Sequence, residues 1–330
     1  MRYAFLVAVN KYRNGDINYS DLRGCENDIA ARGQTRDNLV KGYGFSDTNI
    51  QMLFNERATR KAIWEQLEEY ITILKSGDEL IWWMSCHGTR YPIVSKTGGY
   101  KAANVICASD FSWTEPVLTG PALKELFVKK RPGTKILVVL DSCHSGDSFR
   151  DLRPLHSYTS GQQPMPNPAI SVTSMQNSIP RYVRPPADIL HRFRCLPKNR
   201  GLGQNPEVQE TPKGLLFFSG CDFDETSADA YIDGDYHGAF THTFWKAVNE
   251  AEGQASFYEL ITRVRTMLKA AGYRQNPGLE GDPDEAKAVF LGGSISEVPV
   301  PTEPKPPVQE TPPKPDGSFA DGYNFPENWV

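Results

Sequence analysis

The sequence predicts an α/β fold, a mostly parallel central sheet flanked by helices on both faces. Two observations carry this. Continuous apolar runs at 3–9 (YAFLVAV), 80–84 (LIWWM) and 136–140 (ILVVL) suit strands buried on both faces. Amphipathic stretches alternate with them, most clearly at 59–74 (TRKAIWEQLEEYITIL), and that alternation is the pattern of crossover helices packed on a parallel sheet.

The elements follow in order. Tyr3 to Val9 reads as the first strand. Apolar Ile29, Ala30, Leu39 and Val40 with a glycine stop at Gly42 predict one helix over about 27–41. NIQMLFN is a second strand, and Thr59 caps the helix that follows it, with apolar residues at 63, 64, 67, 70, 71 and 74. DELIWWMSCHG is a third strand ending at His87. NVICASD is a further strand, TGPALKELFVKK a helix and KILVVLDSC the next core strand. The pattern then collapses: 148–213 is rich in Pro, Ser, Asn, Gln and Arg and has no sustained period. Structure resumes with a strand at GLLFFSG, helices at GAFTHTFWKAVNEA and SFYELITRVRTMLKAAG, and a last strand at KAVFLGG. From Ser294 onward nine of the 37 residues are proline, so the tail is expected to be extended and disordered. Its polyproline II character fits either a plain linker or a ligand for a proline-recognising domain. The organisation expected is therefore 1–147 with the catalytic groups, a polar insertion at 148–213, a smaller half at 214–293 and the tail at 294–330.

Composition narrows the function. A net charge of −4 gives no global basic character and argues against a nucleic-acid partner. No segment approaches the roughly 18 to 20 continuous apolar residues of a membrane span, and the N-terminal apolar run is too short for a signal peptide. The six cysteines are dispersed without paired zinc spacing, which predicts reduced thiols and a cytoplasmic location.

In open α/β sheets functional groups gather beyond the carboxyl ends of the strands. Two apolar strands here end in chemistry: one delivers His87, the other Cys143. A neutral thiol is a poor nucleophile near neutral pH and needs an imidazole to hold or remove its proton. Gly88 and Gly146 follow these residues and allow tight turns in which backbone N–H groups face a reacting carbonyl. Taken singly, a strand-end cysteine is core filling and a lone histidine a satisfied polar group; it is their pairing that points to catalysis.

Six motifs in order, LRGCENDIAA (22–31), SCHG (85–88), DSCHSG (141–146), SGCDFDETSAD (219–229), GAFTHTF (238–244) and QNPGLEG (275–281), resemble the caspase-like cysteine peptidases of family C14. Within them the chain is most similar to the metacaspases and orthocaspases, because Asp141 and Ser142 replace the Gln-Ala that precedes the cysteine in true caspases. The resemblance implies a caspase-like fold, with Cys143 as nucleophile, His87 as general base and acid, and an oxyanion hole from the backbone N–H groups of Gly88 and Cys143. His144 is expected to point away, and Cys221, which the resemblance offers as a second cysteine, is read as structural. The resemblance also implies a binding pocket at Cys25, Asp28, Ser85 and Asp141 for the residue before the scissile bond. Two carboxylates in a narrow pocket select a cation, so cleavage after Arg or Lys is expected. Without the resemblance, Asp28 would read as a helix N-terminal acid and Asp141 as a strand-end turn former.

Many metacaspases require calcium, a cation that needs clustered carboxylates. Here the stretch between histidine and cysteine offers Asp110, Glu115 and Glu125 without an acidic pair, Lys96 and Lys101 lie where acids would be expected, and Asp147 and Asp151 lack partners. No cofactor and calcium independence are therefore expected. The insertion carries Arg150, Arg153, Arg181, Arg184, Arg192, Arg194, Lys198, Arg200 and Lys213. An exposed basic loop in an enzyme that cuts after basic residues predicts a zymogen that processes itself or is cut by an upstream protease; the plain reading is a loop whose charge keeps it soluble. Expected partners are protein or peptide substrates, with a monomeric enzyme and a stress, cell-death or defence role by family analogy. The competing reading is a catalytically silent scaffold that binds partners through the proline-rich tail.

Overall fold

Seven-residue apolar strands form the centre of the molecule: β1 (Arg2–Ala8), β3 (Glu79–Ser85) and β7 (Lys135–Asp141) pair in parallel, with Ala8 level with Ser85 and Ser85 level with Asp141. The computed structural model describes residues 1–13, 21–94, 100–114, 117–143, 178–194, 212–222 and 225–294. Outside these three strands lie β2 (Ile50–Phe54), parallel to β1, and β9 (Leu215–Ser219), parallel to β7. β12 (Gly278–Gly281) closes the other edge antiparallel to β9, giving the order β12-β9-β7-β3-β1-β2.

The two-residue period of a strand divides the core in two. Leu6, Trp83, Val139 and Phe218 face one cluster, where they meet α1 (Cys25–Ala30), α2 (Thr35–Tyr43), α6 (Ala239–Glu250) and α7 (Phe257–Ala270). Phe5, Trp82, Val138 and Phe217 face the other, covered by α3 (Arg60–Ile73) and α4 (Gly120–Phe127). The helix starts obey their sequence signals. The Thr59 hydroxyl accepts from the Ala62 N–H, and Ser256 with Glu259 forms a reciprocal capping box on α7. No described helix is long and apolar enough to cross a membrane.

Two small antiparallel sheets sit above the carboxyl ends of the main strands. One joins β4 (Gly88–Val94), β5 (Tyr100–Ile106) and β6 (Leu118–Thr119). The other joins β8 (Ile179–Pro180), β10 (Ala228–Ile232) and β11 (Asp235–Gly238) in the order β11-β10-β8. The remaining helices are α5 (Ala187–Arg194) and the single turn α8 (Pro283–Ala286).

Four expectations need correction. The helix expected over 27–41 is two helices, because Gly33 takes φ 75° and its N–H bonds the Asp37 carboxylate at 2.9 Å. The glycine that ends α2 is Gly44, at φ 67°, while Gly42 lies inside the helix. KAVFLGG is not the last strand; that place belongs to β12. The run meets Ser256 through one isolated bridge at Val289, and its apolar Phe290 packs edge-on against Tyr43 and Phe257 at 5.2 and 5.5 Å. Within 148–213, where no sustained period is visible, the described residues carry β8 and α5.

Trp83 ties the sheet to α6: it stacks on Trp245 at 5.4 Å, meets Phe244 edge-on at 5.3 Å, and its Nε1–H donates to the Thr241 hydroxyl at 3.3 Å. Trp83→Ala is expected to lower unfolding stability by about 3–5 kcal/mol, measured as a lower urea midpoint at unchanged slope.

Candidate active site

The parallel register brings the ends of β1, β3 and β7 to one edge, and the chain beyond β3 and β7 carries the titratable groups. After Ser85 the Cys86 N–H still bonds the Asp141 carbonyl (3.3 Å), so the ladder reaches the turn that holds His87. His87 is buried. Its backbone N–H donates to the Tyr12 hydroxyl at 2.7 Å, its carbonyl accepts from the Cys107 N–H at 2.9 Å, and its ring lies 5.2 Å from that of Tyr12. Gly88 follows because nothing larger fits: a Cβ there would run into the Cys143 carbonyl.

Cys143 is buried beside this turn. Its sulfur accepts from the Ser227 N–H at 3.1 Å and donates to the Ser227 carbonyl at 3.6 Å. Burial, then the neighbouring Cys221, pushes the thiol well above the ordinary range. In this state the sulfur is a neutral thiol, and reaction through it requires a base. Cys221 itself donates to the carbonyls of Ser142 and Glu225, both at 3.5 Å.

Next to the thiol lies a buried ionic cluster with Arg181 at its centre. Its Nη2 donates to Asp28 at 2.7 Å and Asp229 at 2.9 Å, and its Nη1 donates to the Asp141 carbonyl and pairs with the Asp141 carboxylate, both at 3.1 Å. All four side chains have no exposed surface. Each carboxylate is held by further donors. Asp28 accepts from the Gly238 N–H (2.8 Å), with His237 Nδ1 at 3.7 Å. Asp141 accepts from the Ser227 hydroxyl (2.6 Å) and from the Thr241 N–H and hydroxyl (3.0 and 2.8 Å). Asp229 accepts from the N–H groups of Arg23 and Gly24. Burial alone would raise Asp28 and Asp141. In Asp28, Arg181 and His237 overcome it and hold the carboxyl below its usual range, whereas Asp141, with Asp28 as a like-charged neighbour, stays above. Arg181, desolvated but surrounded by acids, remains a cation.

The backbone of Arg181 is held as firmly as its side chain. Its carbonyl oxygen accepts from the Gly88 N–H at 2.9 Å and the Cys143 N–H at 3.3 Å, and its own N–H donates to the Ser227 carbonyl at 2.9 Å. Two donors converging on one carbonyl beside a thiol are what an acyl-transfer site needs to stabilise an oxyanion.

The residues singled out in the sequence fall as follows. Gly88, Cys143, Asp28 and Asp141 lie in this cluster or directly against it, and His87 precedes Gly88 in the chain with its ring against Tyr12. Cys25 is buried within range of the Arg181 charge, its N–H bonded to Asn10 at 2.9 Å, and Ser85 is buried at the end of β3. His144 lies outside the described residues, as do Gly146, Asp147, Asp151, Glu115 and Lys96. Among the described residues no three His, Cys, Asp or Glu side chains group to hold a metal ion. Asp110 instead accepts from the Arg60 N–H at 2.7 Å, and Glu125 is exposed on α4.

Three contributors escape a reading of the sequence. Asp229 closes the SGCDFDETSAD motif but has no distinguishing neighbour; Arg181 is one basic residue among many in the insertion; Ser227 acts through its hydroxyl on Asp141 and through its backbone on Cys143 and Arg181. Gln275, in the QNPGLEG motif, holds this loop in place by donating to the Gly220 carbonyl and accepting from the Ala228 N–H, both at 3.0 Å.

The caspase-domain profile of the Peptidase C14 family matches residues 1–286. Metacaspase-9 of Arabidopsis thaliana is 27% identical over 328 residues, spanning 88% of this chain and 96% of that protein. Metacaspase-1 of Eremothecium gossypii is 26% identical over 297 residues, spanning 84% of this chain but only 63% of that protein. A Geobacter sulfurreducens protein of solved crystal structure shares the fold, with a TM-score of 0.56 at 18% identity over 90% of this chain and 99% of that one.

Removing the cation from three buried carboxylates should unseat its segment, at a cost of about 3–5 kcal/mol for a broken buried pair. In a Cys143→Ala background, Arg181→Gln is expected to speed amide hydrogen exchange at positions 181 and 183 by roughly 150- to 4000-fold. Unchanged protection would mean that the carboxylates do not hold the segment.

Proposed function

This chain belongs to the caspase-domain peptidases of family C14 and is a cysteine-type peptidase, and we propose that it is an endopeptidase that cuts after Arg or Lys through His87 and Cys143. One observation carries this reading. The side chain of Arg181 fills the acidic pocket while its carbonyl rests on the Gly88 and Cys143 N–H groups, as the residue before a scissile bond would. In the proposed reaction His87 takes the Cys143 proton and the thiolate attacks the carbonyl carbon. The two N–H groups stabilise the oxyanion, and His87 returns the proton to the leaving amine. Water then hydrolyses the thioester with His87 as base, releasing the new carboxyl terminus and the thiol.

Arg is the better substrate on this reading. Both terminal nitrogens of the guanidinium have their own acceptors, whereas a lysine ammonium is a single point that cannot span them. Losing one charged hydrogen bond corresponds to about a 10- to 100-fold loss in kcat/KM. The same occupancy makes Arg181–Tyr182 the bond at which we infer the insertion is processed, so that the intact chain is a zymogen whose own segment fills its cleft. The scattered acids support calcium independence.

The test is a set of three fluorogenic peptides ending in Arg, Lys or Asp, assayed in excess chelator. Cleavage is expected after Arg, more slowly after Lys and not after Asp, with Cys143→Ala and His87→Ala lower by at least about four orders of magnitude. Mass spectrometry of the wild-type chain should find a fragment beginning at Tyr182 that Cys143→Ala lacks. Cleavage after Asp alone overturns the pocket assignment. Silence on all three, unrelieved by calcium or a trace protease, would favour the scaffold reading.

A further inference from the structure

The chain on the far side of the Arg181–Tyr182 bond is held as specifically as the near side. Tyr182 bridges in parallel to Gly88, and the Val183 N–H donates to the Gly88 carbonyl at 3.0 Å. The Thr89 hydroxyl donates to the Val183 carbonyl at 2.6 Å. Gly88 thus binds backbone on both sides of one peptide bond, its N–H on the Arg181 carbonyl and its C=O on the Val183 amide.

The Val183 side chain is fully buried in a small apolar cluster of its own with Val105, Cys107 and Phe111, separate from the two cores that flank the central sheet. Tyr91 and Trp113 wall it. Their rings stack at 6.2 Å and 15°, the Tyr91 hydroxyl donates to the Trp113 carbonyl at 3.1 Å, and Phe111 meets Trp113 edge-on at 5.1 Å. These walls come from β4, β5 and the chain that follows β5, so they brace one another without Val183.

Resting on the reading that Arg181 occupies the pocket for the residue before the cut, we propose that this aromatic-walled pocket recognises the second residue after the cut. Its ligand is an aliphatic side chain of about valine size, carried on a segment that adds backbone hydrogen bonds to Gly88 and Thr89. Preferred protein substrates therefore carry an aliphatic residue two places beyond the cleaved arginine. A charged side chain there is rejected, because the described cluster that holds Val183 is apolar. Specificity then depends on both sides of the scissile bond.

The experiment uses the full-length enzyme and internally quenched peptides that keep Pro-Arg-Tyr and vary only the next residue: Val, Thr or Asp. A Pro-Arg aminocoumarin substrate, with only the dye beyond the cut, runs beside them. The expected result is kcat/KM highest for Val, lower for the isosteric Thr and about 10- to 100-fold lower for Asp, the range set by burying one aliphatic side chain. Phe111→Ala is expected to compress the Val-to-Asp ratio. Equal rates for Val and Asp with the coumarin substrate still cut would overturn this pocket and leave the arginine pocket standing, and Val183 would then be only an anchor for the insertion. Failure to cut any substrate, together with absence of the Tyr182 terminus, would remove both readings.

Discussion

The structure around the site depends on one constraint: three carboxylates buried together must share a cation. Asp28, Asp141 and Asp229 come from a helix, from the end of a central strand and from a strand of the small sheet, and each has given up water. Desolvated like charges repel strongly at low dielectric, so the arrangement holds only through the donors around it and the guanidinium within it. Those donors are the sequence motifs themselves. Gly24 and Gly238 supply N–H groups, Thr241 supplies both N–H and hydroxyl, Ser227 its hydroxyl, and Gln275 fixes the Ser227 loop. Short stretches far apart in the chain thus meet at one point.

That point is also where the chemistry sits. Asp141 ends β7 and Cys143 lies two residues on, so the buried carboxylate and the thiol share one short piece of chain. Gly88 connects the rest, since it approaches Cys143 too closely to carry a side chain and directs its N–H to Arg181 and its C=O to Val183. The cation among the carboxylates consequently fixes where its own carbonyl falls; in the proposed reaction this is the positioning that makes attack on a peptide bond unimolecular. The thiol, held on the Ser227 backbone and raised by burial, remains protonated until a base takes its proton.

The occupied cleft gives the insertion a meaning that composition alone conceals. Its basic residues suit solubility as well as recognition, and nothing in the spacing separates Arg181 from its neighbours. In the structure Ile179 and Pro180 add a short antiparallel strand to β10, Arg181 fills the acidic pocket, and Val183 drops among aromatic side chains. One segment is therefore read by backbone and side chain across five consecutive residues, as a strand added to a sheet edge is read.

By itself the sequence determined the parallel core, the capped helix α3, and the two strand ends that carry His87 and Cys143. All of these are local: apolar runs, helical spacing and glycine turns act over a few residues. It misplaced the last strand because KAVFLGG and GLEG compete on apolarity, and only pairing with β9 selects the less apolar one. It also missed the break at Gly33, which depends on a bond from that glycine to the Asp37 side chain. The third carboxylate, the choice of one arginine from the insertion, and the aromatic pocket around Val183 were decided by tertiary structure alone. Each is a meeting of residues far apart in the chain, joined by charge and burial that no local pattern encodes.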